Sequence, residues 1–246
     1  MSLLDDLLAS VNKNVVVRSV LVGAHWTVVC SNGCGMASTL PAGEGLPHGH
    51  APVREAGRLH EKLAGELCEY ARSDTPLEAG IGVAALNSLL DIPEDGPGWR
   101  VQEVNAAELL ASSGKGKDIA IVGHFPFVDR LSGIARRLWV IEQNPSQGDY
   151  SADRAADLLP QADMVALTGS ALVNHTLEGL LALCRRQAQV MVLGPSTPLS
   201  PVLFDYGADI ISGVQVNDEA AVLRTAGQGA NFRQVEGARL LSIVKV

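Results

Sequence analysis

From residue 118 to the end the chain repeats one rhythm, a short apolar run followed by a polar stretch with helical spacing. The runs are "DIAIVG", "LWVIE", "DMVALTG", "QVMVLG" and "DIISG", arriving about every 20 to 25 residues, and "LLSIVKV" closes the series. A strand with one wet face alternates apolar and polar side chains. These runs do not alternate, so both of their faces must be covered. Segments such as "HTLEGLLALCRR" between consecutive runs supply the cover and turn each connection into a helical crossover between parallel strands. The rhythm therefore predicts an α/β fold built on a doubly wound, mostly parallel sheet.

The first hundred residues have a different rhythm. "SLLDDLLASV" carries Ser2 and Asp5 at the spacing of a capping box, which predicts an opening helix. "NVVVRSVLVG", "HWTVVCS" and "MASTLPAG" are short, β-rich and punctuated by Gly and Asn, as in a meander. A loop rich in Gly, Pro and His spans 41–52. Leu59, Leu63 and Leu67 then repeat at helical intervals through 53–72. A second helix follows, with Thr75 as its cap, Pro76 in its first position and Glu78 completing a capping box. Pro, Gly and acid concentrate in "DIPEDGPGW", 91–99, which predicts a linker and two domains, 1–95 and 96–246.

A formal charge of -8 repels phosphate backbones and anionic membranes, so it argues against nucleic acid and membrane as partners. No run approaches the ~20 apolar residues of a membrane span. Asp5 and Asp6 interrupt the N-terminal leucines where a signal peptide needs an unbroken apolar core, which predicts a cytoplasmic protein. Four cysteines in 246 residues do not suggest a disulfide scaffold. Cys30 and Cys34 have a C-x3-C spacing that "HGH" at 48–50 could complete as a metal site. Asn32-Gly33 between them is, however, a strong hairpin signal, and the preferred reading is that the cysteines simply flank a turn.

In an open parallel sheet, ligands bind beyond the carboxyl ends of the strands. Here those ends read "GHFPF" (123–127), Glu142 heading "EQNPSQGD", "TGSALVNHT" (168–176), "GPSTPLSP" (194–201) and "SGVQVND" (212–218). Gly123, Gly169, Gly194 and Gly213 each fall at a strand exit, where a missing side chain permits a sharp turn or close approach to a ligand. Phe125 lies within the first exit. Thr168, Ser170, Ser196 and Thr197 offer small hydroxyls, and Pro195 and Pro198 stiffen the loop that holds two of them. Ser, Thr and Asn in these places also serve as ordinary helix caps, and that alternative stays open for each loop taken singly.

Among titratable groups, His124 directly follows a central strand and suits a metal ligand, a general base or a backbone cap. Glu142 emerges at the same rim. His175 reads as a surface residue beside Asn174. Asn87 sits among alanines and leucines, and a buried amide needs partners from protein, ligand or water. The chain lacks G-x-G-x-x-G after its first strand, any G-x-x-x-x-G-K-[ST], any G-x-S-x-G elbow and any H-E-x-x-H. Dinucleotide enzymes, P-loop proteins, elbow hydrolases and zincins are thereby disfavoured.

The segments "LEAGIGVAALNSLL", "VGHFPF", "LTGSALVNHTLEGLL", "LGPSTPLSP" and "GADIISGVQVND" resemble, in order and spacing, the family known as "Putative heavy-metal chelation". The resemblance runs from Leu4 to Val246. It implies an α+β domain similar to the enolase N-terminal domain, then a Rossmann-like domain, with a site in the cleft between them. Carried over by position, that site draws on Glu78 and Asn87 from the first domain. From the second it takes His124, Glu142, Thr168, Gly169, Asn174, Gly194, Ser196 and Thr197. This set is rich in oxygen and contains no cysteine, whereas soft metals want thiolates. A hard ion, an oxyanion or an organic metal chelate suits it better, and a metal ion is the one cofactor implied. The first expectation is therefore a binder of a small polar ligand, meaning a metal ion, a metal chelate or a chelator precursor. The alternative is an enzyme acting on a small nucleotide-like or phosphorylated substrate, with His124 and Glu142 as acid and base. A homo-oligomer is left open.

Overall fold

The computed structural model describes residues 2–41, 52–91, 94–104 and 106–246. Helix α1 (Leu3–Ala9) opens with the expected capping box: Ser2 Oγ accepts from the Asp5 backbone, and the Asp5 carboxylate accepts from the Ser2 backbone. Strands β1 (Ser19–Val22), β2 (Trp26–Cys30) and β3 (Cys34–Ser38) then form an antiparallel meander. The turn between β2 and β3 sets Cys30 directly opposite Cys34, and their sulfurs are bonded. The expectation that these cysteines only flank a turn is corrected. Residues facing each other across an antiparallel pair project on the same side, within reach of a disulfide. Cys68 and Cys184 are free. The "HGH" stretch offered as a further ligand pair lies outside the described residues.

The single helix expected over 53–72 is also corrected. Only a short turn (Leu59–Glu61), helix α2 (Ala64–Cys68) and a second turn (Glu69–Arg72) form. Leu63 is extended, with φ -76° and ψ 147°, and it bridges Val16. The Lys62 carbonyl accepts from Val17 and the Ala64 amide donates to Val15. Pairing with the N-terminal segment thus overrides the leucine spacing, leaving Leu63 exposed while Leu59 and Leu67 are buried. Helix α3 (Pro76–Leu89) starts at the expected proline. Thr75, however, makes no side-chain capping bond, and Glu78 points to other partners. Nearly every residue of α3 is buried, as befits a helix enclosed on several sides.

The remaining elements alternate. They are β4 (Trp99–Gln102), α4 (Ala106–Ser113), β5 (Asp118–Val122), α5 (Val128–Ser132), β6 (Arg137–Glu142), β7 (Tyr150–Ser151), α6 (Ala155–Leu158) and β8 (Met164–Thr168). Next come α7 (Ser170–Val173), α8 (Leu177–Leu183), β9 (Gln189–Leu193), α9 (Val202–Asp205), β10 (Ile210–Val216), α10 (Glu219–Gly227) and β11 (Ala238–Lys245). They build one eight-stranded sheet in the order β4-β11-β10-β9-β8-β5-β6-β7. The strands from β7 through β10 are parallel, while β11 and β4 add antiparallel pairs at one edge. From β5 the chain winds outward through β6 and β7. It then returns to place β8 on the other side of β5, so the winding direction reverses between β5 and β8.

The small sheet is buried on both faces. Val29 and Ala37 join the cluster that includes α3, while Val28, Cys30 and Met36 pack with Val222 and Ala226 of α10. Helix α10 therefore joins the meander to the edge of the large sheet. At the amino ends of the large sheet, Asp118 is 1% exposed and accepts hydrogen bonds from Arg136 and Arg137. Those two guanidiniums hold its carboxyl well below the usual range. Among the described residues no helix is long and apolar enough to cross a membrane.

Candidate functional site

A doubly wound sheet leaves a crevice where its winding reverses, because the loops leaving the two central strands diverge to opposite faces. A cavity of about 370 Å3 lies there, within the range that holds small organic molecules. It is lined from three strand exits: Gly123, His124 and Phe125 after β5, Glu142 ending β6, and Thr168 ending β8 with Ser170 and Asn174 after it. Leu40, just beyond β3, also lines it, so the meander side contributes to the wall.

Gly123 is required by its geometry. Its φ is +105°, and a Cβ there would lie 3.0 Å from Thr168 Cβ and 3.2 Å from the Phe125 ring. The glycine lets the chain turn tightly beside β8 and deliver His124 to the rim. His124 Nδ1 stands 3.5 Å from an Asp149 carboxylate oxygen, with the histidine side chain 53% exposed and the aspartate 7%. Glu142 Oε2 accepts from the Gln143 amide. Asn174 Oδ1 accepts from the Thr176 hydroxyl at 2.6 Å, which orients the amide and leaves Nδ2 as a donor.

The hydroxyls form a chain. Thr168 Oγ1 donates to Ser170 Oγ at 3.3 Å, Ser170 Oγ and Ser38 Oγ are hydrogen-bonded at 2.8 Å, and Ser196 Oγ donates to Ser38 Oγ at 3.1 Å. The Ser38 amide also donates to Ser196 Oγ at 2.8 Å. Ser196, 1% exposed, thus fastens β3 to the loop after β9 and does not line the cavity.

The other residues expected at the site lie elsewhere. Asn87 and Thr197 line a second, smaller cavity of about 180 Å3, beside Gly33, Cys34 and Gln215. Asn87 Nδ2 donates to the Met36 carbonyl at 2.9 Å, while its Oδ1 and the Thr197 hydroxyl are buried without a protein partner. Gly169 and Gly213 both give way to the Thr197 backbone, since a Cβ on either would come within 2.8 Å of it. Gly194 holds φ +112° in the turn after β9. Glu78 lies at the start of α3, bound to Arg54 and Ser73, and His175 Nε2 lies 3.0 Å from the Ser73 carbonyl oxygen. The strand exits thus gather around two cavities, with the hydroxyl chain between them. Asp149, Ser38 and Leu40 were not singled out in the sequence. Asp149 ends a loop with no periodic signal, and the other two come from the meander.

Two family models match the chain, DUF364 over residues 105–245 and DUF4213 over residues 4–90, and both are described as "Putative heavy-metal chelation". A curated protein of Methanocaldococcus jannaschii, "Uncharacterized protein MJ0500", is 29% identical over 159 residues. That match covers 62% of this chain and 60% of the relative's own length. A DUF364 crystal structure of unknown function from Desulfitobacterium hafniense is 26% identical with a TM-score of 0.82, covering 98% of this chain and 97% of that one. A second, PH1506 from Pyrococcus horikoshii, shares the fold at 23% identity and a TM-score of 0.78, over 99% of this chain and 98% of its own.

Proposed function

The chain belongs to the DUF364 family, described as "Putative heavy-metal chelation", and from that premise we propose that the cavity between β5 and β8 takes a small polar organic guest, a metal chelate or the chelator itself. The observation that carries this reading is the convergence of His124, Glu142, Thr168, Ser170 and Asn174 from three strand exits on one cavity at the winding reversal.

A bare soft cation does not fit this donor set. Oxygen predominates and no thiol is present. Among the described residues, the cavity's donors also fall outside the one group of three ligand-type atoms that lie close together. An organic scaffold, by contrast, can bring its own metal ligands and present its remaining groups to the protein. Charge narrows the choice further. Glu142 in the wall, and Asp149 behind His124, disfavour a multiply anionic guest and favour one bearing an amine or a bound metal's positive charge.

Thermal unfolding without reductant tests this reading with free histidine, its nickel complex and citrate as probes. The amine-bearing or metal-loaded probe should stabilise the chain by about 2.7 kcal/mol at a hundredfold excess over Kd, and citrate by much less. The His124→Ala, Glu142→Ala double variant should lose that shift. The reading fails if neither histidine nor its complex stabilises the chain, or if the double variant keeps the full shift. A second reading, general-base catalysis on the same guest, would rest on His124, whose Nδ1 has Asp149 3.5 Å away. Consumption of the bound probe, abolished by His124→Ala, would identify it.

A further inference from the structure

We propose that Cys30, Cys34 and Glu219 form a redox-gated site for a thiophilic divalent cation, closed by the disulfide and opened by its reduction. This proposal stands apart from the guest of the β5–β8 cavity and does not depend on it. Among the described residues, these three are the one group in which ligand-type atoms from three side chains lie within 4.8 Å of one another. They come from two regions far apart in sequence, a hairpin and a helix start. The hairpin brings the sulfurs, and the start of α10, docked on β2, brings the carboxylate.

Glu219 is the first residue of the nine-residue helix α10, whose N-terminus carries partial positive charge. Arg18 sits on the same carboxylate, its Nη2 2.6 Å from Glu219, and its amide donates to the Cys30 carbonyl at 2.8 Å. The free cysteines make a poorer site, because burial pushes the Cys68 and Cys184 thiols up to about 12. The bridge also spans a hairpin that backbone pairing already closes, and short loops gain least from a crosslink. A pure staple would be poorly placed here.

The chemistry balances with a dithiol as reductant. One thiolate of the dithiol attacks a cysteine sulfur, forming a mixed disulfide and releasing the other cysteine. The second thiol then displaces the first cysteine. Two electrons and two protons pass to Cys30 and Cys34, and the dithiol leaves as a cyclic disulfide. A divalent cation then displaces the two protons, and Glu219 exchanges Arg18 for the metal. Two thiolates and one carboxylate leave a fourth tetrahedral position. The cavity of about 180 Å3 that Cys34 lines adjoins the site and has room for water or an external donor.

The test uses the 246-residue chain, reduced with dithiothreitol, desalted without oxygen and titrated with Cd2+, reading thiolate-to-cadmium charge-transfer absorption. One cadmium per reduced chain is expected. None is expected in the same protein left oxidised or in Cys30→Ser, Cys34→Ser. Glu219→Gln should weaken binding on the order of tenfold, and reduced Cys68→Ala, Cys184→Ala should bind as the parent does. The oxidised parent needs no substitution, so it serves as a control even if the serine variant misfolds. The proposal is overturned if the reduced chain shows no band, if the oxidised chain or the serine variant shows an equal one, or if the alanine pair abolishes it. Unchanged affinity in Glu219→Gln overturns the carboxylate's part.

Discussion

Replacing Gly35 with alanine is expected to lower the unfolding free energy by about 3 kcal/mol, the upper part of the range for overpacked sites. A Cβ at that position would sit 2.2 Å from the Ala84 carbonyl oxygen, 2.4 Å from the Ser88 nitrogen and 2.6 Å from the Asn87 carbonyl carbon. All three are backbone atoms inside helix α3, so no side chain can swing away to relieve the clash. The strand must lift from the helix. The loss should reach the site too, because Asn87 Nδ2 holds the Met36 carbonyl and Ser38 anchors the hydroxyl chain on the same strand. Urea unfolding should show a lower midpoint at unchanged slope. Gly179→Ala supplies a control of opposite sign. That glycine lies within α8 and a Cβ there meets nothing within 4 Å, so alanine should stabilise by roughly 0.5–1 kcal/mol. If Gly35→Ala unfolds within 0.5 kcal/mol of the parent, the flush packing of β3 on α3 is not what holds these layers together.

The same layers show why some of the fold was legible in the sequence and some was not. Five parallel strands, β5, β6, β8, β9 and β10, announce themselves because burial on both faces keeps their centres largely apolar, without the alternation of a half-exposed strand. Strand β7 has only two residues, and β4 reads "WRVQ" at the end of a Pro- and Gly-rich stretch, so neither carries a pattern. The misread helix over 53–72 has a different cause. Leucines at i, i+4 and i+8 satisfy helical spacing, but Leu63 is claimed by Val16, a partner 47 positions upstream that no local window contains. The site divides in the same way. Gly123, His124, Glu142, Thr168, Ser170 and Asn174 were visible because strand exits on one rim of a parallel sheet must converge. The separation of Asn87 and Thr197 into a second cavity depends on where β3 enters. A hydroxyl such as Ser38 gives no sign in the sequence that it will bridge two loops of the other sheet.

Glu78 shows how a local signature can be right about position and wrong about role. Its spacing from Thr75 fits a capping box, yet its carboxylate accepts from the Arg54 amide at 2.7 Å, the Arg54 Nε at 2.9 Å and the Ser73 hydroxyl at 2.7 Å. It is 4% exposed. Burial by itself would raise its pKa, but the hydrogen bonds from Arg54 and Ser73 outweigh that effect and hold the carboxyl below its ordinary value. Breaking a fully buried ion pair costs about 3–5 kcal/mol. The Arg54 side chain is 62% exposed and can return to water, so Glu78→Ala should cost about 2–3 kcal/mol at neutral pH. Glu78→Gln keeps the volume and isolates the charge. Because the folded pKa is depressed, the charge contributes fully above the unfolded value of 4.5 and is lost as pH falls through the still lower folded value. The stability gap between the parent and Glu78→Gln should therefore be constant from pH 6 to 8 and narrow only below about pH 4.5. Equilibrium urea unfolding across that range measures it. A gap that stays flat to pH 3, or no gap at neutral pH, would mean that the packing of Arg54 on the Tyr70 ring, at 4.5 Å, secures this corner without the carboxylate.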